Sequence, residues 1–471
     1  MSDQQRGRDP RVPRYPGTTW SDVVDADSRP LPDELRYDVN DFISDEDLSV
    51  DRYISQEWHD KEVTKLWHKT WQFAGRTEQI PEVGDHVLYE VVGTSLIIMR
   101  TGADEITAYY NACLHRGRKL RATEGRISEI RCPFHSFAWN LDGTSKDIPC
   151  AWDFPQIDQK TFNLPRAKVA TWNGFIFISM DENAEPFEQF MGSMGKDWQR
   201  WDYGERYTYF HIAGVIDCNW KVALEAFLES YHVIGTHPQM MPWMGDANSH
   251  YDVLAGEPNW NRSITPQGVP SPHIADGLTE QDVLESYYET REFYTAGTGR
   301  DLQSGDEIPE LPVGVTARIE LAGQLREQLA KNFDRPFDNA TESELIDGIQ
   351  YFLFPNFCVF GGDRTNAVYR FRPSGNNPDQ CIAEVLLLAL PKPGAAVPRP
   401  AEVRWLQEGE QFSDIAELGL LGPVLDQDYF NLPYIQQGLH TTRKPGVTLA
   451  LYQESRIRHY QKTLEEWLAK D

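Results

Sequence analysis

The sequence predicts an α+β protein in which a small antiparallel β module precedes a larger mixed domain. Three observations predict it: short alternating runs crowd residues 87–179, an apolar stretch of helical period spans Cys218–Gly235, and strand-like and helical runs follow one another beyond residue 315. Residues 1–45 are rich in Pro, Asp and Arg and show no period, so they read as an arm that is extended, disordered or laid over a neighbouring subunit. From Asp47 to Trp71 the pattern is helical, with Tyr53, Trp58, Val63, Leu66 and Trp67 spaced between charges. Strand-like runs follow at Val87–Val92, Ser95–Arg100, Ile106–Asn111, Glu129–Cys132 and Gly174–Ser179. Residues 238–310, full of Pro, Gly, Asn and Asp, read as a long irregular insertion. Val315–Lys331, Glu342–Gln350, Val403–Leu418 and Glu454–Lys470 read as helices, and Tyr351–Phe360, Ala367–Pro373 and Cys381–Leu390 as strands. Four segments result: an arm at 1–45, a helical lead-in at 46–73 packing on the larger domain, a β domain at 74–185 and the larger domain at 186–471.

Composition narrows the function. The formal net charge is −27 over 471 residues, which makes the chain a poor general binder of nucleic-acid backbones. The longest dense apolar run, Val385–Leu390, ends at Pro391, too short for a membrane span. The first residues lack the apolar core of a secretory signal, so a cytoplasmic location is expected. Six cysteines in a chain this long are not a disulfide scaffold.

Two constellations carry chemistry. The first is Cys113-Leu-His115, then after a gap Cys132-Pro-Phe-His135. Two thiolates and two imidazoles on two loops can close around one metal centre. A structural zinc site is one reading, but zinc usually pairs Cys with Cys and His with His. One Cys and one His from each loop suits a [2Fe–2S] cluster with two Cys on one iron and two His on the other.

The second lies in Asn219-Trp-Lys-Val-Ala-Leu-Glu-Ala-Phe-Leu-Glu-Ser-Tyr-His-Val-Ile-Gly-Thr-His-Pro238. On a continuous helix, Glu225, Glu229 and His232 would share one face. Carboxylates on so apolar a helix are costly unless paired or metal-bound. His237 can turn back beside His232, and two imidazoles with one carboxylate make a facial triad for a mononuclear iron. From the residues alone the carboxylate can be Glu225 or Glu229.

These segments resemble the large (alpha) subunits of Rieske non-haem iron aromatic-ring-hydroxylating oxygenases. The resemblance rests on Asn111-Ala-Cys-Leu-His-Arg-Gly-Arg-Lys-Leu120, Cys132-Pro-Phe-His-Ser-Phe-Ala-Trp-Asn-Leu-Asp-Gly143, the Glu229-Ser-Tyr-His232 stretch with His237, and Asp426-Gln-Asp428-Tyr-Phe-Asn-Leu-Pro-Tyr-Ile-Gln436-Gln-Gly-Leu439, and it covers roughly residues 50–440. It implies a Rieske domain at 74–185 and a catalytic mononuclear-iron domain at 186–471, the latter a curved antiparallel sheet flanked by helices in a helix-grip-like arrangement. Cys113, His115, Cys132 and His135 would hold the cluster. His232, His237 and Asp428 would hold the iron, with Asp426 and Asp363 as weaker candidates for the third ligand. Glu229 stands where the family usually has an Asp that links a cluster histidine of one subunit to an iron histidine of the next. Two positions depart from the commonest pattern: Ser136 replaces a Gly, and Phe134 replaces a Tyr whose hydroxyl would raise the cluster potential.

The resemblance also implies a homotrimer, or an α3β3 assembly with a small beta subunit. Electrons would come from NAD(P)H through a flavin reductase, often with a ferredoxin; the chain itself shows no flavin or nicotinamide motif. The basic run Arg116, Arg118, Lys119 and Arg121 is a solvated loop or a ferredoxin docking patch. The first expectation for the reaction is hydroxylation, by mono- or dioxygenation, of an aromatic or bulky hydrophobic compound. The alternative is a Rieske monooxygenase or demethylase for a quaternary ammonium or methylated compound, since Glu-x-Tyr-His also appears in such relatives. A non-catalytic Rieske carrier or a zinc module would have no use for the second constellation.

Overall fold

The computed structural model describes residues 9–201, 203–290, 308–363, 366–418 and 421–470. The chain divides into two compact units: Asp60–Phe190 with Ser374–Asn376, and Met1–His59 with Met191–Pro373 and Asn377–Asp471.

The first unit is the β module. Its seven-stranded sheet runs in the order Gln72–Arg76, Phe175–Ser179, Arg166–Trp172, Ile106–Tyr110, Thr94–Arg100, Asp85–Val91, Gly125–Arg126. The expected strands are present to within a residue or two, because alternation sets the buried face: Val87, Tyr89 and Val91 point inward from one strand. A second sheet of Ile130–Arg131, Ala138–Trp139 and Ser145–Asp147 carries the second Cys/His loop. Ile97, Met99, Tyr109, Phe137 and Trp139 form a core that also buries Cys113 and Cys132.

The second unit is built on a curled eight-stranded sheet. Its order is His250–Asp252, Trp260–Thr265, Gly348–Leu353, Phe357–Phe360, Ala367–Ser374, Asn377–Ala389, Tyr207–Ile216, Arg404–Trp405. The last two strands pair in parallel, and antiparallel pairing is seen elsewhere, as between Trp260–Thr265 and Gly348–Leu353. Its helices include α1 (Trp220–Ala226), α2 (Val233–Thr236), α3 (Ala317–Phe333), α4 (Leu421–Thr441) and α5 (Ser455–Ala469). Ile457, Tyr460 and Leu464 bury the expected stripe of α5.

Four sequence expectations are corrected. The helix expected over Cys218–Gly235 stops at Ala226 and resumes only at Val233. The intervening polar groups find partners that a continuous helix would deny them: Ser230 N–H donates to the Tyr251 hydroxyl at 3.1 Å, and the Ser230 and Thr265 hydroxyls bond at 2.6 Å. The stretch 238–310, expected to be irregular, supplies two sheet strands and the helix Glu280–Thr290; residues 291–307 lie outside the described part. Val403–Leu418 is not helical: Arg404–Trp405 joins the sheet edge, followed by two 3₁₀ turns. Glu342–Gln350 is helical only to Ile346, and Gly348 starts a strand.

The described part of the arm lies on its own unit. Arg318 is buried between Asp27 and Asp347, and Asn40 donates to the Ser455 hydroxyl at 2.9 Å.

Candidate metal centres and active site

The two Cys/His loops of the β module fold alike. Cys113 N–H donates to Arg118 O and Gly117 N–H to Cys113 O; Cys132 N–H donates to Phe137 O and Ser136 N–H to Cys132 O. The fifth residue of each loop has positive φ, +74° at Gly117 and +62° at Ser136, so the replaced glycine left a serine in a conformation that costs a side chain energy. His115 and His135 meet edge to face with centroids 4.7 Å apart, above the two buried cysteines. His115 Nδ1 is buried and has no hydrogen-bond partner among the described residues, which suits a metal ligand. Arg116 Nη2 lies 3.3 Å from His135 Nε2, so Nδ1 of that ring remains for a metal. Burial works against the Cys132 thiolate, but the backbone N–H groups of Phe134 and His135 outweigh it and lower the thiol pKa. Phe134, 58% exposed, lies under the Arg116 guanidinium.

In the second unit His232, His237 and Asp428 converge, each offering a ligand atom within 4.8 Å of the others. His237 Nε2 is 2.7 Å and His232 Nε2 3.4 Å from Asp428 Oδ1. The other nitrogen of each ring is held. His232 Nδ1 bonds Glu229 Oε1 at 2.7 Å, and His237 Nδ1 bonds Gln427 Oε1 at 2.9 Å. Each imidazole is therefore held through Nδ1 and turns its Nε2 toward the carboxylate, the nitrogen that a metal would take in place of a proton. Burial opposes a charge on His232, yet Glu229 and Asp428 outweigh it and raise its pKa to about 10. Burial likewise opposes the Asp428 carboxylate, but its bonds to the two histidines lower its pKa.

α4 positions the carboxylate. Gln436, two turns beyond Asp428, accepts from Asn219 N–H at 3.0 Å at the start of α1 and donates to Tyr53 O at 3.1 Å. Of the weaker ligand candidates, the Asp426 carboxylate accepts from the N–H groups of Phe412 and Ser413, and Asp363 is not part of the cluster. Glu225 also stands apart, bonded to the Tyr53 hydroxyl and Gln461; burial raises its pKa to about 7. Gln427 was not singled out in the sequence, although it adjoins Asp428.

A cavity of about 210 Å³ opens beside the three residues. Phe227, Tyr369, Phe360, Met240 and Leu387 line it, with Glu229 at the metal end and Ser263 and Gln350 among its polar groups. Phe227 and Tyr369 have ring centroids 4.9 Å apart.

Two candidate metal centres on these two folds fit a Rieske non-haem iron protein. Residues 198–470 match the family described as ring hydroxylating alpha subunit (catalytic domain), and residues 70–162 match the Rieske [2Fe-2S] domain. The chain belongs to the ring-hydroxylating alpha-subunit family, which implies a Rieske [2Fe–2S] cluster and a mononuclear iron. It is similar to choline monooxygenase of Beta vulgaris, 29% identical over 39% of this chain and 43% of that protein. It is also similar to the glycine betaine monooxygenase oxygenase subunit of Pseudomonas aeruginosa, 28% identical over 40% of this chain and 44% of that one. The matched stretch thus spans less than half the length of these relatives. A quaternary ammonium Rieske monooxygenase structure shares the fold, with a TM-score of 0.62 at 16% identity, covering 89% of this chain and 95% of the other. Among the described residues no helix is long and apolar enough to cross a membrane.

Proposed function

We propose that this chain is the terminal oxygenase of a Rieske system and oxidises a quaternary ammonium or methylated compound. The observation that carries the reading is the cavity itself: Phe227, Tyr369 and Phe360 line it together with Glu229, beside His232, His237 and Asp428. A quaternary ammonium has no N–H to donate, so aromatic faces and a nearby negative charge are what recognise it. The matches to choline and glycine betaine monooxygenases point the same way, rather than to the aromatic substrate first expected.

In this reading Cys113, His115, Cys132 and His135 hold the cluster, and His232, His237 and Asp428 hold the iron. When bound, the iron supplies dioxygen activation and the cluster supplies stored electrons. One oxygen atom enters a C–H bond of the substrate; two electrons and two protons reduce the other to water. Glu229 fixes the His232 tautomer through Nδ1 and, in a homotrimer, carries the electron route from a cluster histidine of a neighbouring copy. A partner reductase or ferredoxin delivers NAD(P)H electrons, guided by the exposed Arg116, Arg118 and Lys119.

The test is dioxygen uptake with product identification, using a surrogate reductase and a panel of trimethylammonium and aromatic compounds. Uptake matched by oxidised trimethylammonium product is expected. Hydroxylation of aromatic compounds alone would overturn the substrate assignment.

A further inference from the structure

Behind one wall of the cavity lies a guanidinium to which, among the described residues, no carboxylate is bonded. Arg456, at the second position of α5, is fully buried. Its Nε donates to Asn261 Oδ1 at 2.6 Å, and its Nη1 donates to Leu228 O at 3.2 Å, Ser263 Oγ at 2.7 Å and Gln350 Oε1 at 2.9 Å. Its Nη2 has no hydrogen-bond partner among the described residues. Asp252, an acid nearby, is already bonded to Arg262 and His250. Burial lowers the Arg456 pKa only to about 10, so the group is cationic at neutral pH.

Arginine only donates, and that fixes its two neighbours. Ser263 and Gln350 face each other across adjacent strands, and both line the cavity. Ser263 Oγ must accept from Arg456, so its O–H is left to donate elsewhere. Gln350 must turn its carbonyl oxygen to Arg456, so its NH₂ group points away from it. Two donors polarised by one buried positive charge thus stand on a cavity wall, a arrangement complementary to an anion.

We propose that Ser263 and Gln350, held by Arg456, form a subsite for a carboxylate on the substrate. This rests on the proposed function and deepens it: the substrate is a zwitterion whose ammonium end meets Phe227 and Tyr369 and whose acid end meets Ser263 and Gln350. Arg456 is a positioning residue, since it acts through its two neighbours.

The test is calorimetric binding to the iron-loaded protein with four probes: γ-trimethylammoniobutyrate, its alcohol, γ-phenylbutyrate and its alcohol. Wild-type protein is expected to bind the trimethylammonium acid at least about tenfold more tightly than its alcohol, as donors to a charged acceptor provide. Gln350→Glu keeps a partner for Arg456, so the melting temperature should hold, but it replaces a donor by a negative charge. The acid preference should then disappear while the alcohol still binds. Gln350→Met and Ser263→Ala should each reduce the preference without adding charge. Acid and alcohol binding within about twofold of each other in wild type would overturn the subsite, as would equal losses for both in Gln350→Glu or no binding of any probe. Binding of the phenyl pair alone would overturn the ammonium reading, and the acid preference within that pair would still decide the subsite.

Discussion

Glu229 and His232 are joined twice: Glu229 Oε2 accepts the His232 backbone N–H at 2.9 Å, and Oε1 accepts from its Nδ1 at 2.7 Å. One carboxylate fixes both where the residue sits and which way its ring turns. This pair of hydrogen bonds is made in the gap between α1 and α2, and a helical Glu229 would have its neighbours' N–H groups bonded elsewhere.

Glu229→Gln tests this pair. An amide can accept at one position only, so its NH₂ group would meet either the His232 N–H or the ring N–H. Product formation is expected to fall about 10–100-fold, with the cluster still reduced by an external donor. Stopped-flow reoxidation of the reduced cluster locates the defect; reoxidation at the wild-type rate would show that electrons do not depend on this carboxylate.

Asp428→Ala should lose mononuclear iron and activity while keeping the cluster absorption. Asp363→Ala should retain its iron. Iron analysis alongside visible spectra checks both, and the opposite pattern would move the third ligand to Asp363.

Ser136→Gly should stabilise the β module. The serine holds φ of +62°, a conformation that costs an L-residue about 1 kcal/mol and glycine little. Thermal bleaching of the cluster should shift upward, by the equivalent of up to about 1 kcal/mol. A downward shift would show that the serine side chain contributes more than its backbone costs.

Glu225→Gln should change the pH dependence of stability. Burial raises the Glu225 pKa from 4.5 to about 7, against hydrogen bonds from Gln461 and Tyr53 and the Lys221 charge; Glu454 adds to the rise. The folded protein keeps this proton where the unfolded chain has lost it, so stability falls as pH rises from about 4.5 to about 7. The glutamine variant lacks that slope. Near pH 5 the two proteins should unfold at similar urea concentrations, and near pH 8 the variant should be more stable by about 2–3 kcal/mol. Parallel profiles would mean that Glu225 titrates normally.

The β module was legible because its strands alternate and because a Cys and a His recur at short spacing, both local signals. His232 and His237 were legible for the same reason. Asp428 was not separable from Asp426 or Asp363 by spacing alone; the resemblance of its segment favoured it, and it is the one that meets the two histidines. The helix break at Phe227 was illegible, since Tyr251 and Thr265, whose hydroxyls bond Ser230, lie in a stretch that looked irregular. The group of Ser263, Gln350 and Arg456 is hidden for a deeper reason. None of the three is unusual in its own stretch, and only the pairing of two strands under a distant helix brings them together.

The arm on the second unit has a consequence for how the protein is made. Asn40 precedes its partner Ser455 by 415 residues, and Arg14 precedes Tyr452 by 438. At about 5–20 residues per second, a ribosome takes roughly 20–80 s to cover such a gap. The β module is nearly one continuous run, Asp60–Phe190, and can fold while the rest is still being translated. The arm cannot: it is made well before its partners, so Trp20 waits for His250 and Asp347, and Val12 waits for Tyr452. Those residues are where a chaperone would meet the nascent chain, and slowing translation should increase their exposure to a co-translational protease.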